Sequence, residues 1–242
     1  MADRTPDRLH LIAGPAPGMS GTAGRLLWPP ICKNASTALL ACFTGRKAPE
    51  RRLAGLPVVR HLSEVRPADV LLVVHRDPLE RFVSAVCDKL IARHGATDLW
   101  AASHAVLGAQ AGQARLEDWV AAMLEPDPEA ADVHFRPQAL HLFDHPYHHH
   151  PDLSELPLWA SDVLGPAMAQ RLFQRVNARE TGTFRLPSGA RPTLDELHAE
   201  HLSHGRFPHA EDLIPPDLRA RLARVYAADC ALRQGWGYSC TL

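Results

Sequence analysis

The chain has 242 residues, 46% hydrophobic and 22% charged, which is the composition of an ordinary globular core and long enough for one α/β domain. Its formal net charge of −1 excludes a global bias toward nucleic acid or an anionic membrane, so any anionic ligand has to be met by local charge. No apolar stretch approaches the roughly 18 residues of a spanning helix, and Met1 to Arg8 lacks the apolar segment of a secretory leader. Five cysteines at scattered spacing predict reduced thiols and a cytoplasmic protein.

Residues 1–25 carry Gly14, Pro15, Pro17, Gly18, Gly21 and Gly24 and are expected to form an irregular arm. Leu26 to Cys32 reads as a short strand, interrupted awkwardly by Pro29 and Pro30. Lys33-Asn34-Ala35-Ser36-Thr37 then leads into the helix-compatible run Ala38 to Phe43. Strand, polar turn and helix, with a lysine and two hydroxyls at the helix start, make a cradle for a phosphate-like group. Taken alone, the same pattern also fits a plain helix start with one surface lysine. It is not a Walker A loop, because no glycine closely precedes Lys33.

Arg46 to Arg52 reads as a charged, solvated connection, Leu56 to Arg60 as a short strand and Leu62 to Arg66 as a turn. Val70 to Val74 follows, five apolar residues rich in β-branched types, expected as a buried strand of a parallel sheet covered on both faces. His75-Arg76 breaks the run. Asp77-Pro78 has the form of an N-cap followed by proline at the first helical position. Leu79, Phe82, Val83, Val86 and Leu90 recur at helical spacing, so a helix is expected to pack back on the sheet, with Ser84 in its second turn. The turn at Arg76 suits an anion, since arginine offers a planar fork of donors and the helix start a partial positive charge.

Arg115 to Leu124 reads as an amphipathic helix ended near Glu125-Pro126-Asp127-Pro128. Leu158 to Leu164 is expected as a late strand, Pro166 to Val176 as the helix after it, and Arg179 to Pro192 as loop. Ser203 to Pro216 is His- and Pro-rich, an acceptor-side lid or simply irregular. Leu218 to Arg233 reads as a closing amphipathic helix. His141, His145 and the run His148-His149-His150, near Asp144 and Asp152, invite a metal reading, but Pro146 and Pro151 interrupt any helix there. A solvated loop is the expectation, with no metal site.

Two elements together carry a family resemblance. Lys33-Asn34-Ala35-Ser36-Thr37 after a strand resembles the 5′-phosphosulfate loop of sulfotransferases that use 3′-phosphoadenosine 5′-phosphosulfate (PAPS). Arg76-Asp77-Pro78-Leu79-Glu80-Arg81-Phe82-Val83-Ser84-Ala85 resembles their 3′-phosphate motif, with arginine and serine eight positions apart. His134-Phe135-Arg136-Pro137-Gln138 is similar to the His-aromatic-x-Pro-Gln element of the carbohydrate (chondroitin/HNK-1-type) sulfotransferases. Tyr226-Ala227-Ala228-Asp229 is similar to their closing Tyr-x-x-Asp helix, and Val176-Asn177 to a Val-Asn element before it. The pattern departs where the lysine loop lacks a glycine and where Val86 stands in place of an aromatic residue.

The resemblance implies an α/β fold with a P-loop-like parallel sheet flanked by helices, in a single domain over residues 26–242. It implies an enzyme that moves a sulfuryl group from PAPS to an acceptor hydroxyl, on a carbohydrate or glycoconjugate, releasing 3′,5′-ADP without a metal; the lack of a membrane anchor, unlike the Golgi members, points to a soluble, bacterial version. Lys33 would stabilise the leaving phosphate oxygen, and the amides of Ala35, Ser36 and Thr37, with Asn34 in the same loop, would hold the 5′-phosphate. Arg76 and Ser84 would hold the 3′-phosphate. His134 would be the general base, or else a structural histidine bonded to backbone. The alternatives are a P-loop-like kinase or phosphotransferase, for which Asp69 and Asp77 are the nearest carboxylates, and a nucleotide- or metal-binding module without turnover.

Overall fold

A computed structural model describes residues 11–15, 24–45, 55–172 and 182–242. The chain begins with β1 (Leu11–Pro15), β2 (Arg25–Trp28), α1 (Ser36–Thr44), β3 (Val58–Val59) and β4 (Val70–Leu71). Helices α2 (Pro78–Ala85), α3 (Thr97–Leu107), α4 (Leu116–Met123), α5 (Leu156–Leu164) and α6 (Pro166–Leu172) follow. The last part holds β5 (Thr183–Phe184), α7 (Leu194–His204), β6 (Phe207–Pro208), α8 (Ala210–Leu213), α9 (Pro216–Val225) and α10 (Ala227–Gly235). The class is mixed α/β, with helix dominant. Two compact units are built from interleaved pieces of chain: residues up to 76 with 138–178, and residues 77–137 with 179–242.

The first unit contains a small mixed sheet in the order β3-β1-β2-β4. β1 runs antiparallel to both β2 and β3, whereas β2 and β4 are parallel, with Leu26 opposite Val70 and Leu27 opposite Leu71. The sheet therefore differs from the purely parallel one expected. The difference comes from β1, whose Leu11, Ile12 and Ala13 lie inside the stretch read as irregular and are all buried. Side chains alternate across this sheet with period two. Ile12, Leu26, Trp28, Leu72 and Val74 pack on one face with Leu39 and Leu40 of α1 and Leu156, Ala160 and Leu164 of α5. Leu11, Ala13, Leu27, Val59 and Leu71 pack on the other with Phe143 and Tyr147. Both faces are covered, as the apolar run Val70 to Val74 predicts.

That run also has a second parallel neighbour. The amides of His148 and His149 donate to the Leu71 carbonyl, Val73 donates to His149, His75 to Pro151, and Leu153 to His75. The histidine run is thus a pairing segment along the buried strand rather than a solvated loop, and the Leu71 amide donates to His148 Nδ1 at 2.9 Å. Among the described residues, no cluster of His, Cys, Asp or Glu has the arrangement of a metal site.

At the other end of the parallel pair, Asp69 fixes the register. It accepts from the Arg25 amide, at 3.0 Å, from the Arg25 guanidinium, at 2.6 Å, and from the Arg66 amide, at 2.8 Å. Burial opposes its ionisation, but those bonds, led by the Arg25 guanidinium, hold its carboxyl below the usual carboxylate range. Gly24 is required here, because a Cβ would run into the Ala68 carbonyl oxygen.

α5 corrects the expectation of a strand over Leu158 to Leu164. Leu156, Ala160 and Leu164 are the buried residues, spaced four apart, and Pro157 sits in the first helical turn, where a missing amide donor costs nothing.

In the second unit, Asp77 caps α2 through the amides of Leu79 and Glu80, with Pro78 at the first helical position, as its sequence predicts. The apolar face of α2 and the π-helical turn that continues it (Val86–Ile91) enters a core with Trp119, Phe135, Leu194, Leu218, Leu222 and Tyr226. Phe82 meets Phe135 and Tyr226 edge-on at 5.8 and 6.2 Å between ring centres. α4 buries Leu116, Trp119 and Val120 and spans the stretch predicted for it. The closing helix is broken at Tyr226 into α9 and α10. Phe207–Pro208, in the stretch read as a lid or irregular, pairs with Thr183–Phe184, in the stretch read as loop, as a two-stranded parallel sheet.

Cys230 and Cys240 form a disulfide, leaving Cys32, Cys42 and Cys87 as thiols. This corrects the expectation of five reduced thiols and removes the argument for a reducing compartment. No described helix is long and apolar enough to cross a membrane. The expected solvated connection at residues 46–52, the Val176-Asn177 element and most of the N-terminal arm lie outside the described residues.

Candidate functional site

The first unit holds the lysine loop and the arginine turn. β2 stops at Trp28 because Pro29 and Pro30 cannot extend the ladder. The chain then turns through Lys33 and Ala35, whose φ values of 71° and 57° lie in the left-handed region. Arg93 is the one further non-glycine residue of this kind among the described residues. Such a backbone costs about 1–2 kcal/mol per residue and is the kind of local strain that collects at ligand sites. α1 begins directly after Ala35, with no side chain capping its start and no acidic residue in its first turn. Lys33 and Thr37 are half-buried, and Ser36 is buried.

Asn34, at the centre of this loop, is buried and faces inward. Its Nδ2 donates to the Val74 carbonyl at 3.0 Å and to Gln138 Oε1. Its Oδ1 is buried with no hydrogen-bond partner among the described residues, an acceptor suited to a hydroxyl or ammonium donor. Gln138 also grips Arg76: its Oε1 accepts from the Arg76 amide at 3.0 Å and its Nε2 donates to the Arg76 carbonyl at 2.8 Å. The two candidate anion elements, Lys33 to Thr37 and Arg76, are therefore linked through the amide side chains of Asn34 and Gln138.

The second unit holds Ser84 and His134. Ser84 is half-buried on α2, between the buried Phe82 and Ala85. The start of α2 differs from expectation. Asp77 accepts from the Leu79 and Glu80 amides and also from the Thr241 amide, at 2.9 Å, and hydroxyl, at 2.6 Å. The positive end of this helix thus already faces a built-in carboxylate. An anion at Arg76 has to rely on side chains.

His134 sits in a tight turn in which the Phe135 and Arg136 amides both donate to the Asp132 carbonyl at 2.8 Å. The carbonyls of the turn are met by side chains. Arg81, fully buried on α2, donates to Arg136 and Val133; Tyr226 Oη donates to Phe135 at 2.7 Å; and Arg136 donates to Glu129 and Ala131. Burial pushes the Tyr226 hydroxyl well up, which keeps it a neutral donor. Asp132 Oδ1 lies 2.7 Å from His134 Nδ1 and also accepts the His134 amide at 2.9 Å. Burial opposes ionisation of Asp132, but bonds from the His134 ring and amide hold its carboxyl below the usual range. A carboxylate only accepts, so Nδ1 carries a proton in this pair.

Sequence reasoning passes over three of these residues. Gln138 lies within the quoted His-aromatic-x-Pro-Gln stretch, but nothing local shows that it bridges two loops. Asp132 stands two positions before His134, an Asp-x-His spacing that was available as a signal. Arg81 falls on the apolar face of α2, where a charged residue has to find buried partners.

Compared with protein-family models, with curated proteins and with solved structures, the chain matches none.

Proposed function

We propose that the chain is a PAPS-dependent sulfotransferase acting on a hydroxyl of a carbohydrate or glycoconjugate. The observation that carries this reading is the left-handed Lys33–Ala35 loop, which enters an uncapped helix and is cross-linked by buried amides to the Arg76 turn. One phosphate loop fits many ligands; two anion elements joined in this way fit a donor with phosphate groups on both sides of one ribose. On this reading the parallel pair β2 and β4 carries a ligand loop after each strand, as in P-loop-like folds.

The amides of Ala35, Ser36 and Thr37 hold the 5′-phosphate, with Asn34 shaping the loop. Arg76 takes the 3′-phosphate through its guanidinium. The acceptor oxygen attacks sulfur while the bond from sulfur to the bridging phosphate oxygen breaks. Lys33 stabilises the charge that develops on that oxygen, and the acceptor proton passes to a general base, the role that the family resemblance gives to His134. The products are a sulfate ester and 3′,5′-ADP. Positioning and neutralisation of spread charge supply most of the acceleration, as in phosphoryl transfer.

Against a magnesium-dependent phosphotransferase stand the two nearest carboxylates. Asp69 is paired with Arg25, and Asp77 closes α2 and holds Thr241. Transfer of sulfur-35 from labelled PAPS to a panel of hydroxyl-bearing glycans tests the proposal. The expected result is label on at least one glycan, abolished by His134→Ala with 3′,5′-ADP binding retained. No transfer across the panel, with no stabilisation by 3′,5′-ADP, contradicts it.

A further inference from the structure

We infer that Gln138 is a positioning residue that sets the spacing between the Lys33–Thr37 loop and the Arg76 turn, and through it the selectivity for a ligand phosphorylated on both sides of one ribose. The inference rests on the sulfotransferase reading for the identity of that ligand.

Only 2% of Gln138 and 2% of Asn34 is exposed, so their polar atoms have to be satisfied inside the protein. A glutamine side chain offers two acceptor lone pairs and two donor hydrogens. Gln138 gives both lone pairs and one hydrogen to the two loops: it accepts from the Arg76 amide and from Asn34 Nδ2, and donates to the Arg76 carbonyl. The pair of hydrogen bonds to Arg76 reproduces what a neighbouring strand would provide, at the residue where the buried run ends and the turn begins. Asn34 closes the triangle by donating also to the Val74 carbonyl, two residues before Arg76. The Lys33–Ala35 loop therefore cannot shift relative to the Arg76 turn without breaking buried hydrogen bonds.

Chemistry singles out an amide for this position. Glutamate would keep the acceptors, lose the donor to the Arg76 carbonyl, and bring a negative charge toward a phosphate site. Leucine would fill the same space and leave the Arg76 amide and carbonyl unpaired. A residue that merely stabilised the fold would change affinity for every ligand alike. A residue that sets the spacing of two phosphate loops changes the preference between ligands with one phosphate and with two.

Calorimetric titration of 3′,5′-ADP and 5′-AMP into the wild type, Gln138→Leu and Gln138→Glu, each checked for folding by circular dichroism, separates these outcomes. The wild type is expected to prefer 3′,5′-ADP. Gln138→Leu is expected to lose about tenfold or more of that preference, the scale of a lost hydrogen bond to a charged partner, with 5′-AMP affinity little changed. Gln138→Glu, closer in shape, serves if the leucine variant does not fold, and is expected to lose preference in the same direction. An unchanged preference in a folded variant, or an equal loss for both ligands, overturns the role of Gln138 alone. Absence of 3′,5′-ADP binding by the wild type overturns the sulfotransferase reading, and this inference with it.

Discussion

The chain contains two helix starts that each follow a buried strand, and they are built in opposite ways. α2 is closed: proline stands at its first position, Asp77 accepts its amides, and Thr241 adds two more bonds to the same carboxylate. α1 is left open: no side chain caps it, no acidic residue enters its first turn, and the chain reaches it through left-handed backbone at Lys33 and Ala35. A helix start that carries its own carboxylate has its positive end already neutralised, whereas a start with no acidic residue in its first turn keeps its partial positive charge. On the proposed sulfotransferase reading, this difference favours α1 for the 5′-phosphate and leaves the Arg76 turn to act through side chains.

The largest expected effect comes from removing the charge at the open start. Lys33→Asn, chosen because asparagine tolerates the left-handed backbone, is expected to lower turnover about 10²–10³-fold with the fold intact, the scale of one lost transition-state donor. Near-normal turnover in a sulfur-35 assay would remove Lys33 from the chemistry. Next is the closed start. Asp77→Ala takes away a cap and the anchor of Thr241, and is expected to lower stability by about 2 kcal/mol in urea titration. An unchanged midpoint would show that α2 does not depend on its carboxylate.

A smaller effect of opposite sign is expected from Ala35→Gly, which relieves a left-handed alanine and should raise stability by about 1 kcal/mol. A loss of stability would mean that the turn is not strained. Smallest is a pH effect in the second unit. Because the folded value of Asp132 lies below its unfolded value, its bond to His134 contributes fully above the unfolded carboxylate range and is lost as pH falls through the folded value. Asp132→Asn is expected to flatten the acid side of the stability curve by less than about 1 kcal/mol. An identical acid limb in both proteins contradicts the pairing.

Elements whose signals are local were legible in the sequence. Asp77-Pro78 announces the start of α2, the apolar run at Val70 announces a strand covered on both faces, and Leu116, Trp119 and Val120 announce α4. What depends on distant partners was not legible. β1 hides among glycines and prolines because five residues ending in Gly14-Pro15 are too few to show a period. α5 reads as a strand from sequence because seven residues of mixed apolar character do not separate period two from period four. The histidine run gave no sign of its pairing, since backbone hydrogen bonds to Leu71 and Val73 leave no trace in side-chain type. The Cys230–Cys240 bond was missed for a related reason: ten residues of separation carry no information about a helix end folding back. At the candidate site, residue types were legible and their bridges were not, because Asn34 meets Gln138 across 104 positions of sequence.

Isothermal titration of the wild type with 3′,5′-ADP, and with ATP plus magnesium, decides between the two donors. Binding of 3′,5′-ADP is expected, independent of magnesium and weakened by Arg76→Ala. Binding of ATP with magnesium in preference to 3′,5′-ADP, or the same 3′,5′-ADP affinity in Arg76→Ala, would contradict it.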